Sequence, residues 1–206
     1  MIAVVDYGAS NLRSVVRALR AAGAAAEPTA EPAAVRAAER VVVPGVGHFA
    51  PARQRLREVG LDAAVADAAR AGRPVLGICV GLQLFLAESE EAPGEPGLGL
   101  LPGRVAHFTT DLPVPHVGWS RVRLTEAGRA HPALRRVLSG DEAFFYHVHS
   151  YHPEGVDPSA ALAEAEYGAP FPTIVGRDNV LGVQFHPEKS QAAGLGLLKA
   201  FAEWRP

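Results

Sequence analysis

Val75-Leu76-Gly77-Ile78-Cys79-Val80-Gly81-Leu82-Gln83-Leu84-Phe85 changes its period at a single cysteine. Pro74–Ile78 is a short apolar run of strand type, and Gly81–Ala87 reads as the helix that follows it. Cys79 therefore stands on the turn between a buried strand and a helix. Glycines two residues to either side leave room for a sharp bend, the logic of a nucleophile elbow. Free N–H groups and the dipole at a helix start stabilise a thiolate, which arms the sulfur near neutral pH. The competing reading is an inert buried cysteine. That reading would tolerate bulky flanking residues as readily as glycines.

Upstream of this elbow the chain alternates strand and helix signals. Ile2–Tyr7 is a β-branched run, and Gly8-Ala9-Ser10-Asn11 supplies a turn with Asn11 as a candidate N-cap. Leu12, Val15, Val16 and Leu19 recur at helical spacing, and Gly23 stops that helix. Ala24–Glu27 reads as a weak strand, Pro32–Ala38 as a short helix and Arg40–Val43 as a strand. Helical pattern returns over Pro51–Ala71 with an interruption near Gly60. Strands joined by helical crossovers make a parallel sheet covered on both faces.

Downstream the texture is different. Glu90–Gly99, rich in Glu, Pro and Gly, reads as a surface loop. Short β-rich runs then follow at Arg104–Phe108, Arg121–Leu124, Phe144–His149, Thr173–Arg177 and Val180–Phe185. Asp178-Asn179 between the last two predicts a hairpin, and Leu195–Trp204 predicts a closing amphipathic helix. The expected architecture is a single three-layer α/β domain over residues 1–206, its sheet parallel first and partly antiparallel later.

Composition narrows the function classes. Nearly half of the 206 residues are apolar and a fifth are charged, with a formal net charge of −2. That is a soluble globular profile without a nucleic-acid or membrane-surface footprint. No apolar run is long enough to span a bilayer, and the first residues lack the pattern of a signal peptide. One cysteine excludes an internal disulfide, so a cytoplasmic setting is expected.

A thiolate that attacks an amide needs a base and a group to orient that base. His186-Pro187-Glu188 offers both, because residues i and i+2 of an extended segment point the same way and Pro187 prevents a helix. A plain surface His-Pro turn is the alternative, but placement after the apolar run Val180–Phe185 puts the tripeptide at a sheet end, where α/β sites collect. Pro44-Gly45-Val46-Gly47 also follows a strand. It can present backbone amides to a developing oxyanion, with Gly47 and the Val80 amide as the donors, or it can be an ordinary turn.

Gly77–Gln83 together with Gly182-Val183-Gln184-Phe185-His186-Pro187-Glu188 resembles the class I, triad-type glutamine amidotransferases over the whole chain. Val5-Asp6-Tyr7-Gly8 with Asn11-Leu12, Pro115–Trp119, Tyr146–Tyr151 and His186–Ser190 are similar to the glutaminase subunits of imidazole glycerol phosphate synthases. Ser10 and Ser120 stand where that subfamily leads one to expect Gly and Asn.

The resemblance implies a flavodoxin-like fold with a mixed, mainly parallel sheet and a Cys79–His186–Glu188 triad that hydrolyses L-glutamine. It implies that Gly45, Gln83 and the backbone of His149, Ser150 and Tyr151 hold the glutamine, and that no metal or organic cofactor is required. It implies a separate (β/α)8-barrel cyclase subunit, paired as a heterodimer, with Trp119, Tyr146 and Lys189 towards that partner. The plainer alternatives for these three are core aromatics and a solvated charge. Other pathways (pyridoxal phosphate, anthranilate or purine synthesis) and a non-catalytic module on the same fold are rival functions. His147, His149 and His152 invite a metal reading, but without further ligands nearby they are expected to pack and hydrogen-bond.

Overall fold

The computed structural model describes residues 1–135, 137 and 139–206. Its first half runs β1 (Ile2–Val5), α1 (Leu12–Ala21), β2 (Ala26–Thr29), α2 (Pro32–Ala37), β3 (Arg40–Val43), α3 (Phe49–Glu58), α4 (Leu61–Arg70), β4 (Val75–Ile78) and α5 (Val80–Phe85). The second half runs β5 (Arg104–His107), β6 (His116–Leu124), α6 (Glu126–Ala130), β7 (Glu142–His149), β8 (Tyr151–Glu154), β9 (Ala161–Tyr167), β10 (Ala169–Arg177), β11 (Val180–Val183) and α7 (Gln191–Glu203).

Nine strands form one sheet in the order β2-β1-β3-β4-β11-β10-β9-β6-β7, and β5 pairs with β8 in a separate ribbon. From β2 to β11 every ladder is parallel; from β11 to β7 every ladder is antiparallel. The change of mode follows connection length. Helical crossovers carry the chain back for parallel pairing, whereas the Asp178-Asn179 turn between β10 and β11 is a hairpin and enforces antiparallel pairing. α1 packs with α7, while α2, α3, α4 and α5 pack among themselves as a second group.

Strands β1, β3, β4 and β11 are buried along their whole length, which is why they read as continuous apolar runs. Val4, Val5, Val41, Val42, Leu76 and Ile78 have no exposed surface at the centre of the core. Each such side chain contributes about 1.5–3 kcal/mol by leaving water.

The interruption near Gly60 is a break into two helices. Gly60 has φ +68°, a left-handed conformation that costs glycine little and ends α3 before α4 begins. β6 extends from His116, well before the expected Arg121. β8, β9 and α6 lie outside the expected elements.

Candidate active site

Cys79 follows β4 and caps α5 with φ 54° and ψ −109°, a strained backbone for a residue with a Cβ. The glycines around it make that bend possible. A Cβ on Gly77 would lie 2.6 Å from the Gly81 carbonyl oxygen, and a Cβ on Gly81 would lie 2.0 Å from that of Val43. β11 aligns with β4 so that Gly182 faces Gly77 and Val183 faces Ile78, and Cys79 N–H donates to the Val183 carbonyl at 2.8 Å. The base therefore arrives from the neighbouring strand. Just beyond β11, His186 N–H donates to the Tyr146 carbonyl at 2.9 Å, and its own carbonyl accepts from Ser190 Oγ at 2.6 Å.

His186 Nδ1–H donates to Glu188 Oε1 at 2.8 Å, with both side chains fully buried. This fixes the tautomer and leaves Nε2 buried without a hydrogen-bond partner. Burial by itself pushes the His186 pKa down. The negative charges of Cys79 and Glu188 outweigh it and raise the pKa to about 10. Burial likewise pushes Glu188 up, but hydrogen bonds from His186 and Asn11 hold it below the ordinary carboxylate value. Asn11 does not cap α1 with its side chain; its Nδ2 donates to Glu188 Oε1 at 3.0 Å.

An open cavity of about 870 Å³ lies over this group. Cys79, Val80, Gln83, His186, Val46, Gly47, His149, Ser150, Tyr151 and Lys189 line it. Gly45 sits behind the wall, where an added Cβ would fall 2.6 Å from Gly81 N and 2.8 Å from Val80 Cβ. Gln83 Nε2 is already engaged, donating to the Tyr151 carbonyl at 3.2 Å and to Gln184 Oε1 at 3.3 Å. Gln184 Nε2 donates in turn to Cys79 Sγ at 3.7 Å.

Trp119 and Tyr146 lie away from the cavity. They face each other across β6 and β7 with ring centroids 6.2 Å apart, and Lys189 Nζ stands 5.7 Å over the Tyr146 ring. Trp119 is 46% exposed, which removes its core alternative. His147 is fully buried, donating from Nδ1 to the Phe145 carbonyl and accepting at Nε2 from Thr173 Oγ1, both at 3.0 Å. His149 and His152 donate from Nδ1 to the Tyr151 and Pro153 carbonyls. These bonds and their aromatic packing account for His147 and His152, while His149 keeps a buried Nε2 without a partner.

Two residues with functional placement were not singled out in the sequence. Glu91 puts a carboxylate on the cavity wall and accepts from His48 Nδ1 at 2.7 Å and from Phe49 N at 2.8 Å. It falls in a loop without periodicity, among other acidic residues. Gln184 belongs to a quoted motif, but nothing in its spacing shows that its amide turns towards the thiol.

The family profile described as glutamine amidotransferase class-I matches residues 3–202. A relative from Symbiobacterium thermophilum, named imidazole glycerol phosphate synthase subunit HisH, is 51% identical over 98% of this chain and 92% of its own length. One of the same name from Salinibacter ruber is 46% identical over 98% and 94%. Among solved structures, one described as a glutamine amidotransferase superposes with TM-score 0.71 at 19% identity, covering 91% of each chain. The glutaminase domain of Trypanosoma brucei CTPS, solved with bound acivicin, superposes with TM-score 0.68 at 17% identity over 100% of this chain and 94% of its own. Those two likenesses concern the fold alone. The profile spans nearly the whole chain and the relatives match 98% of it, so this chain belongs to the class I glutamine amidotransferase family.

Proposed function

We propose that Cys79, His186 and Glu188 hydrolyse L-glutamine to glutamate and ammonia, and that the chain serves histidine biosynthesis as the glutaminase subunit of an imidazole glycerol phosphate synthase. One observation carries the reading. A cysteine on a strained helix N-cap shares a cavity with a buried imidazole that a carboxylate holds at 2.8 Å. The curated relatives, both named as that synthase subunit, favour this pathway over other glutaminase pathways.

Chemically, the Cys79 thiolate adds to the side-chain carboxamide carbon of glutamine. The negative oxygen of the tetrahedral adduct is met by the amides of Val80 and Gly47. The His186 imidazolium then gives its proton to the departing nitrogen, and ammonia leaves behind a glutamyl thioester. Water next gives a proton to the now neutral His186 and adds to the thioester, releasing glutamate and restoring the thiolate–imidazolium pair. Glu188 keeps its charge throughout and steadies the imidazolium. Gln83 and the backbone of His149, Ser150 and Tyr151 line the place for the amino-acid head group, and the Glu91 carboxylate suits its ammonium.

The ammonia passes to a (β/α)8-barrel cyclase subunit in a cytoplasmic heterodimer, docked on the side of Trp119, Tyr146 and Lys189. The exposed apolar residues Val117, Trp119 and Phe144 on that side support this placement.

The test uses the complex of this chain with its synthase subunit. Cys79→Ala should abolish glutamine-dependent product formation and leave synthesis from free ammonia intact. Glutamine turnover that survives the substitution would remove Cys79 from its role.

A further inference from the structure

The turn that follows β3 is held at both ends and free in the middle. At its start, Tyr7 Oη donates to the Pro44 carbonyl at 2.7 Å from a buried ring. A Cβ on Gly45 would lie 3.0 Å from that hydroxyl, in addition to its close approaches to Val80 and Gly81. The peptide between Pro44 and Gly45 is therefore wedged between the phenol and the elbow. At the far end, His48 and Phe49 both hydrogen-bond the Glu91 carboxylate. Between these anchors Gly47 has φ +95° and nothing within 4 Å of a Cβ position. Burial and the nearby Cys79 charge hold the Tyr7 pKa far above its ordinary value, so the phenol stays protonated as a donor.

We propose that Tyr7 is a positioning residue for glutamine hydrolysis: through the Pro44 carbonyl its hydroxyl fixes the start of the turn, and so confines reorientation of the oxyanion donors to Val46 and Gly47. This rests on the assignment of Cys79 as nucleophile and of residues 44–47 as the oxyanion turn. A hydrogen bond to an oxyanion exists only once the carbonyl has been attacked. Misplacing its donor therefore lowers turnover and leaves ground-state binding of glutamine alone. A residue that merely fills the core would change stability without this split.

The experiment compares Tyr7→Phe with the parent in the synthase complex. Turnover should fall about tenfold, equivalent to about 1.4 kcal/mol and within the worth of one hydrogen bond. The KM for glutamine should change by less than about twofold. Alkylation of Cys79 by iodoacetamide should keep its rate, because displacement of iodide at a saturated carbon develops no carbonyl oxyanion and reports only on the thiolate. Unchanged turnover in Tyr7→Phe overturns the proposal, including the case in which only the unfolding temperature drops. Alkylation that slows in step with turnover also overturns it, because Tyr7 would then act on the thiolate. Glutamine turnover persisting in Cys79→Ala, run in parallel, would instead strike the nucleophile assignment and take the Tyr7 role with it.

Discussion

Glu188 shows how much of the site depends on a single charge. Its Oε1 accepts from His186 and from Asn11, and its Oε2 is buried without a partner. Glu188→Gln keeps the shape and removes the countercharge that offsets burial of the imidazolium. Turnover should fall by up to about 10⁴-fold, the cost of losing the orienting acid in a related triad. The pH profile should move as well. His186 is raised to about 10 partly by Glu188, so its pKa drops without that charge and the proton is lost sooner. The alkaline limb of kcat/KM should shift to lower pH; a profile that stays in place would make Glu188 a spectator. At this scale the elbow placement of Cys79 and the His186–Glu188 pairing were legible, because reactive side chains and glycines are written directly in the sequence. The supporting contacts were not. Asn11 has the composition of a helix cap, and only tertiary placement turns its amide towards Glu188, far along the chain.

The elbow and the turn after β3, as elements, use glycine for opposite reasons. Gly81 is needed for space, since a methyl group would meet the Val43 carbonyl at 2.0 Å. Gly81→Ala should destabilise the fold by about 3 kcal/mol through overpacking, lowering the urea midpoint. Gly47 is needed for conformation, with φ +95° and open surroundings. Gly47→Ala should cost only about 1–2 kcal/mol in stability, the strain of a left-handed residue, while lowering turnover more than Gly81→Ala lowers it in whatever fraction remains folded. Equal urea midpoints for the two variants would contradict this division. The parallel half of the sheet was readable because strands buried on both faces carry unbroken apolar runs. β9, Ala-Leu-Ala-Glu-Ala-Glu-Tyr, was not, since alanine and glutamate disfavour strands and its ladders to β10 and β6 supply the reason it is extended. β8 is four residues with a proline inside, and among the described residues its ladder is to β5.

Across the whole molecule, buried neutral histidines link stability to acidity. Burial, then the neighbouring His116, lowers His147 to about 3, and burial lowers His131 to about 4; His149 is also held well below its ordinary value by burial. In the unfolded chain these groups accept protons near pH 6.5. With the folded pKa depressed, the unfolded state binds more protons as pH falls, so the contribution of these three histidines is complete above about 6.5 and is lost progressively below it. Between pH 7 and 5 the urea midpoint should drop, with His147 alone contributing a slope approaching about 1.4 kcal/mol per pH unit. His147→Gln should flatten that slope; an unchanged slope would place the proton uptake elsewhere. The strand order carries another consequence. β4 and β11 are neighbours in fixed register, yet all of β5 through β10 lies between them in sequence. The chain leaves β4 at the nucleophile, adds β6, β7, β9 and β10 to the far side of the sheet, and enters β11 at the opposite end, with Val180 beside Val75. Substitutions at the outward-facing Val117, Trp119 and Phe144 can change the proposed docking side while the backbone contact from Tyr146 to His186 and the ladder of β4 with β11 stay as they are. One ammonia-producing core can acquire a new customer by changing those outward-facing side chains alone.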